Sequence, residues 1–192
     1  MPRLAERSGL SPADYLAWER QQPVRHEFVR GEVFAMAGGT PRHNALCVNV
    51  AAALHAALRG GPCRTFSSDQ RVGLGPGERY VYPDVTVVCG PVRLEQGSTD
   101  VVANPTVLVE VLSESTEQYD RGLKWDGYRR IAALTDYVLV SQSERRLEHF
   151  GREPDGSWRY RAAGPGESIP LTGGAVLRVD AVFEDAMELP GD

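Results

Sequence analysis

The chain has 192 residues, 42% hydrophobic and 24% charged, the balance of one globular domain with its own core and not of a fibrous or disordered sequence. Its formal net charge of -5 excludes a protein that coats nucleic acid through bulk positive charge, and leaves specific or transient binding open. No apolar run approaches the roughly 20 residues of a membrane span, and the opening MPRLAERSGLSPADY lacks the apolar stretch of a leader, so a soluble, cytoplasmic protein with no membrane partner is expected.

Ser11 and Pro12, with Asp14 three residues after the cap, predict a helix start, and PADYLAWERQ a short amphipathic helix lying as a flap at one edge. HEFVRGEVFAMAG predicts two short strands joined at Arg30 and Gly31. Thr40 and Pro41 open a longer helix in which Leu46, Cys47, Val50, Ala53, Leu54, Ala57 and Leu58 keep the rhythm of one buried face, and Gly60 and Gly61 end it. Three strand stretches follow: CRTFSS with QRVGLG, then YVYPDVTVVCG, then TVLVEVLS. The last two are almost continuously apolar, as central strands covered on both faces are. GLGPGER precedes no helical pattern and reads as a hairpin loop. YDRGLKWDGYRRIAAL is helical in pattern, with Leu123, Tyr128 and Ile131 on one face, and leads into the strand DYVLVSQ. RLEHFGRE and SWRYRAAG form a hairpin around Asp155 and Gly156, and VLRVDAVFEDA closes the fold. The order predicts a single layered α/β or α+β domain over residues 1–192. Cys47, Cys63 and Cys89, odd in number and lying in apolar stretches, are expected as reduced core residues, with neither a disulfide framework nor a zinc site.

Two acids break the apolar strands. Glu110 stands inside TVLVEVLS and Asp84 follows Pro83 inside YVYPDVTVVCG. A carboxylate stripped of water requires a partner, a cation or a shifted pKa. If the strands are neighbours, the two acids emerge together and a divalent cation relieves their repulsion; Mg²⁺ or Mn²⁺ suits such oxygen ligands. Lys124, in the helix after the Glu110 strand, is placed to reach back and orient a water, and Arg121 and Arg42 are cations for a substrate phosphate. The alternatives stay open: Asp84 capping backbone amides, Glu110 paired with a core arginine, and Lys124 pairing with Asp120 on an exposed helix face.

HEFVRGEVFAMAGGTPRHNALCVNV, TFSSDQRV, YPDVTVVC and NPTVLVEVLSESTEQYDRGLKWDGYRRI followed by DYVLVSQ resemble the Uma family, restriction-endonuclease-like proteins of the PD-(D/E)XK nuclease superfamily. The resemblance implies a mixed central β-sheet flanked by helices and Mg²⁺-dependent cleavage of DNA, with RNA as the alternative, by a homodimer. Asp84 matches the acid of the PD element and Glu110 that of (D/E)XK. Leu112 stands where that motif has lysine, and Lys124 matches the lysine that the family carries on the following helix. Glu32 and His43 match further polar positions of the family pattern. Glu32 either completes the metal site or pairs with Arg25 or Arg30, and His43 either assists at the phosphate or is a satisfied histidine of the helix's first turn. The displaced lysine also admits a catalytically silent module that binds nucleic acid or protein.

Overall fold

The computed structural model describes residues 5–191; Met1 to Leu4 of the opening stretch, and Asp192, lie outside them. Helix α1 (Pro12–Glu19) begins where Ser11 Oγ accepts the Asp14 N–H at 3.1 Å. Strands β1 (His26–Val29) and β2 (Glu32–Ala35) form a hairpin turned by Arg30 and Gly31, both at positive φ (48° and 95°), as a tight two-residue turn demands. Helix α2 (Pro41–Leu58) is capped by Thr40. It buries Leu46, Val50, Leu54 and Leu58; Cys47 and Ala53 are half-buried, and Ala57 faces solvent.

Strands β3 (Cys63–Phe66), β4 (Arg71–Gly73), β5 (Arg79–Val81), β6 (Val85–Cys89), β7 (Val101–Val102) and β8 (Val107–Val111) follow. A helical segment comes next, built of α3 (Glu117–Tyr119), a π-helical stretch (Asp120–Lys124) and α4 (Trp125–Tyr128). Then come β9 (Asp136–Val140), the hairpin β10 (Leu147–Arg152) and β11 (Trp158–Ala163), the pair β12 (Ser168–Pro170) and β13 (Val176–Arg178), and α5 (Val179–Val182).

The strands form a mixed α+β fold with a six-stranded sheet, β11-β10-β9-β8-β6-β3, and a five-stranded sheet, β2-β1-β5-β4-β7. Parallel pairing of β8 with β9 requires a crossover, and the helical segment supplies it. One face of the six-stranded sheet packs on α2 and α5 through Val85, Val87, Val107, Val109 and Val138. Its other face meets α4 through Leu108, Leu112, Tyr128, Tyr137 and Leu139. Coverage on both faces is what the continuous apolar runs of β8 and β9 require. Tyr15 and Leu16 of α1 pack on Phe28, Val33 and Tyr80 of the smaller sheet.

Three expectations are corrected. YVYPDVTVVCG is two strands in two sheets: Pro83 has no N–H to continue a ladder, and the chain leaves one sheet after Val81 and enters the other at Val85. The helix around Lys124 has the wider π turn, so Leu123 is 55% exposed while Asp120 and Lys124 turn inward beside Tyr128. Cys63 and Cys89 are joined in a disulfide, because antiparallel pairing of β3 with β6 sets them directly opposite one another; Cys47 is free.

Asp100 ties the smaller sheet together. Arg20 grips both its oxygens at 2.8 and 3.1 Å, and Arg71 Nη1 donates at 2.9 Å. The Arg20 contact, aided by Ser98 and Arg71 against the cost of burial, holds its carboxyl at about 2, below the usual 3.8. A depressed folded pKa contributes stability above the unfolded value and loses it as pH falls toward the folded one. Urea midpoints measured from pH 4 down to about 2 are therefore expected to fall more steeply for the native chain than for Asp100→Asn.

Candidate active site

The ladder between β6 and β8 pairs Val85 with Val109, so the next step outward sets Asp84 against Glu110 at the sheet's end. Asp84 Oδ2 accepts the Val111 N–H at 2.8 Å, which fixes the carboxylate against the neighbouring strand. Glu110 shares the face of Leu108 and Leu112, the face covered by the helical segment. Leu112 fills core there, and the cation descends from the cover: Lys124 Nζ donates to Glu110 Oε1 at 3.0 Å. Tyr128 donates to the same oxygen at 2.6 Å.

Lys124 serves more than one acid. Its Nζ lies 3.0 Å from Asp120 Oδ1 and 3.4 Å from Glu27 Oε1. The π turn sets Asp120, Lys124 and Tyr128 at intervals of four on its inner side. Glu27 comes from β1, whose pleat sends Phe28 into the small core and its neighbour the other way. All four groups are buried: Glu27 1%, Asp120 2%, Glu110 3% and Lys124 6% exposed. Burial pushes the Glu110 carboxyl well above the usual range; Lys124 opposes this, and Asp120 and Asp84 add to it. Burial likewise raises Asp120. For Lys124, burial works against the charge, but Glu110, Glu27 and Asp120 outweigh it and hold the ammonium well above its ordinary pKa.

These groups line a cleft of about 360 Å³. Helix α2 forms another wall with His43, whose Nε2 is 3.4 Å from Asp84 Oδ2, and Cys47, whose Sγ is 3.6 Å from His43 Nδ1. A Cβ at Gly39 would meet His43 Nδ1 at 2.5 Å, so glycine there leaves the ring its room. Arg25 stands at the rim, 40% exposed, donating to the Ser68 carbonyl and hydroxyl and paired with Asp69.

A family model described as "putative restriction endonuclease", Uma2, matches residues 12–190. The chain belongs to the Uma2 family. Two curated relatives are similar along most of its length, both uncharacterised proteins of Synechocystis sp.: slr1290 is 38% identical and sll1609 34% identical over 149 residues, each match covering 78% of this chain and 77% and 84% of the relative. The crystal structure of a "putative nuclease belonging to DUF820" from Anabaena variabilis is similar with a TM-score of 0.74, over 93% of this chain and 99% of that one, at 13% identity. That likeness shows a shared fold.

Of the positions singled out in this Uma2 chain, Asp84, Glu110, Lys124 and His43 meet in the cleft. Three lie elsewhere. Glu32 is exposed at the open end of the β1–β2 turn, opposite Val29. Arg42 is spent on the backbone carbonyls of Gln142, Met187 and Leu189, which anchor the C-terminal tail. Arg121 points outward and grips both oxygens of Glu148, with Glu117 alongside. None of the three lines the cleft. Glu27, Asp120 and Arg25 were missed. Glu27 carried the same signal as Glu110, an acid between strand-forming neighbours, in HEFV. Asp120 pairs with Lys124 as the i, i+4 spacing allows, but inside the protein and not on an exposed helix face.

Proposed function

We propose that the chain hydrolyses phosphodiester bonds of DNA with a Mg²⁺ or Mn²⁺ ion held by Asp84 and Glu110. The observation that carries the reading is a charge mismatch: Asp84, Glu110, Asp120 and Glu27 converge on a cleft in which Lys124 is the buried cation. Four acids with one ammonium fit a hard divalent ion, which takes carboxylate oxygens and keeps several waters. Bound there, the ion would offset charge on the scissile phosphate and make its water a better nucleophile.

The chain's own groups then have distinct tasks. Asp84, pinned by the Val111 amide, offers an oriented carboxylate. Tyr128 and Lys124 both hold Glu110 Oε1, which orients the remaining oxygen toward the cleft. Lys124 positions the attacking water from above the strand end, and His43 faces the phosphate beside Asp84. Arg25, at the rim, holds the substrate backbone near the site. Cutting both strands of a duplex calls for two such sites, which a homodimer supplies.

One observation favours a silent module instead: Lys124 meets three carboxylates within 3.4 Å, enough to occupy all its protons. Calorimetric titration with Mg²⁺ followed by nicking of supercoiled plasmid separates the two. Saturable ion uptake with Mg²⁺-dependent nicking is the expected result. Uptake with no cleavage of any DNA or RNA would establish the module, and no uptake would remove the metal site from both readings.

A further inference from the structure

We infer that the same cleft has a second, exclusive cation position, built of His43, Cys47 and Asp84, that selects a thiophilic ion of the Zn²⁺ class. One imidazole nitrogen, the Cys47 sulfur and an Asp84 oxygen all lie within 4.8 Å of one another. Cys47 Sγ lies 3.6 Å from His43 Nδ1, and His43 Nε2 lies 3.4 Å from Asp84 Oδ2. Tetrahedral angles and ordinary Zn–S, Zn–N and Zn–O bonds set ligand edges of about 3.3 to 3.6 Å, so the three donors have to draw together from the 4.8 Å within which they lie. The imidazole faces Cys47 with Nδ1 and Asp84 with Nε2, and binding requires the ring to shift so that one nitrogen serves as the ligand.

The donors come from rigid places. His43 and Cys47 stand four residues apart on the inner side of α2, in the first two turns after its Thr40 cap, and Asp84 is pinned to Val111. Three protein ligands with the cleft before them leave a fourth position for water, the pattern of an open site. A hard ion has no use for the sulfur. Burial, with Asp84 and Glu110 nearby, keeps the thiol protonated, which also argues against Cys47 as a nucleophile beside His43. A thiophilic cation displaces that proton to solvent and binds the thiolate. Because Asp84 serves both positions, occupancy by such an ion excludes Mg²⁺; this exclusion rests on the assignment of Asp84 above, whereas the ligand set does not.

Cobalt(II) chloride reports the ligands directly, since thiolate bound to Co²⁺ gives an intense near-ultraviolet charge-transfer band. With Cys63 and Cys89 oxidised, Cys47 is the one thiol among the chain's three cysteines, so the source of a band is unambiguous. One equivalent of Co²⁺ is expected to raise the band in the native chain, and Zn²⁺ to quench it. Cys47→Ser should abolish it, and His43→Ala should weaken uptake by more than the about 10- to 100-fold typical of losing an outer-shell partner. Saturating Zn²⁺ should remove the Mg²⁺ heat. Co²⁺ uptake without the band, a band that survives in Cys47→Ser, or no uptake at all would overturn the inference. If Mg²⁺ still binds and supports nicking in those cases, the nuclease reading stands; a cobalt–sulfur band in a chain that ignores Mg²⁺ would overturn that reading and the exclusion, and leave the three ligands in place.

Discussion

Asp84→Asn is expected to abolish Mg²⁺-dependent nicking while leaving the fold intact. The carboxamide oxygen still accepts the Val111 N–H, bonded at 2.8 Å in the native chain, and the side chain is half-buried beside the cleft, so packing is conserved. What is lost is a formal charge and, in the proposed site, one hard oxygen ligand. A metal ion contributes several kcal/mol to a transition state, and about 1.4 kcal/mol corresponds to a tenfold rate change. Loss of the ion's grip therefore predicts a fall on the order of a thousandfold or more. Initial nicking rates at saturating Mg²⁺, with the urea midpoint as a control for folding, decide it; a variant that nicks within a few-fold of the native chain would discharge Asp84 from the site.

Lys124→Met is expected to show the largest loss of stability. Methionine nearly matches the lysine stem in volume but removes the charge facing Glu110, Asp120 and Glu27. Removing one partner of a buried ion pair costs about 3–5 kcal/mol, because the other charge is left without compensation. Urea unfolding measures the loss. The companion Lys124→Met/Glu110→Gln is expected to recover part of it, since the double variant has one fewer buried acid to neutralise. If the single variant unfolds at the native midpoint, the ammonium is not what holds these acids together.

How far these features were legible differs by element. Helix α2 and strands β8 and β9 could be read from apolar periodicity, because each buries its pattern against a continuous layer. The meeting of Asp84 with Glu110 was legible because charge inside an apolar strand demands an explanation. The role of Pro83 was harder. A missing N–H marks a break in a ladder but not that the chain changes sheets there. The π turn at Asp120–Lys124 was hidden, since one extra residue per turn leaves no mark in composition, and so Leu123 was turned the wrong way. That Glu27 and not Glu32 faces the cleft is not legible in HEFVRGEV, because the hairpin's facing depends on which sheet it joins, a long-range property. The Cys63–Cys89 bond depended on cross-strand register, which spacing along the chain does not encode.

The passage of the chain between sheets has a mechanical corollary. Glu27 rides on one sheet and Glu110 on the other, and the Lys124 ammonium touches both, so the lysine is a clasp across the seam between them. Parting the layers would draw the ammonium away from one acid or the other and leave a buried charge uncompensated, so the seam resists opening at the cleft.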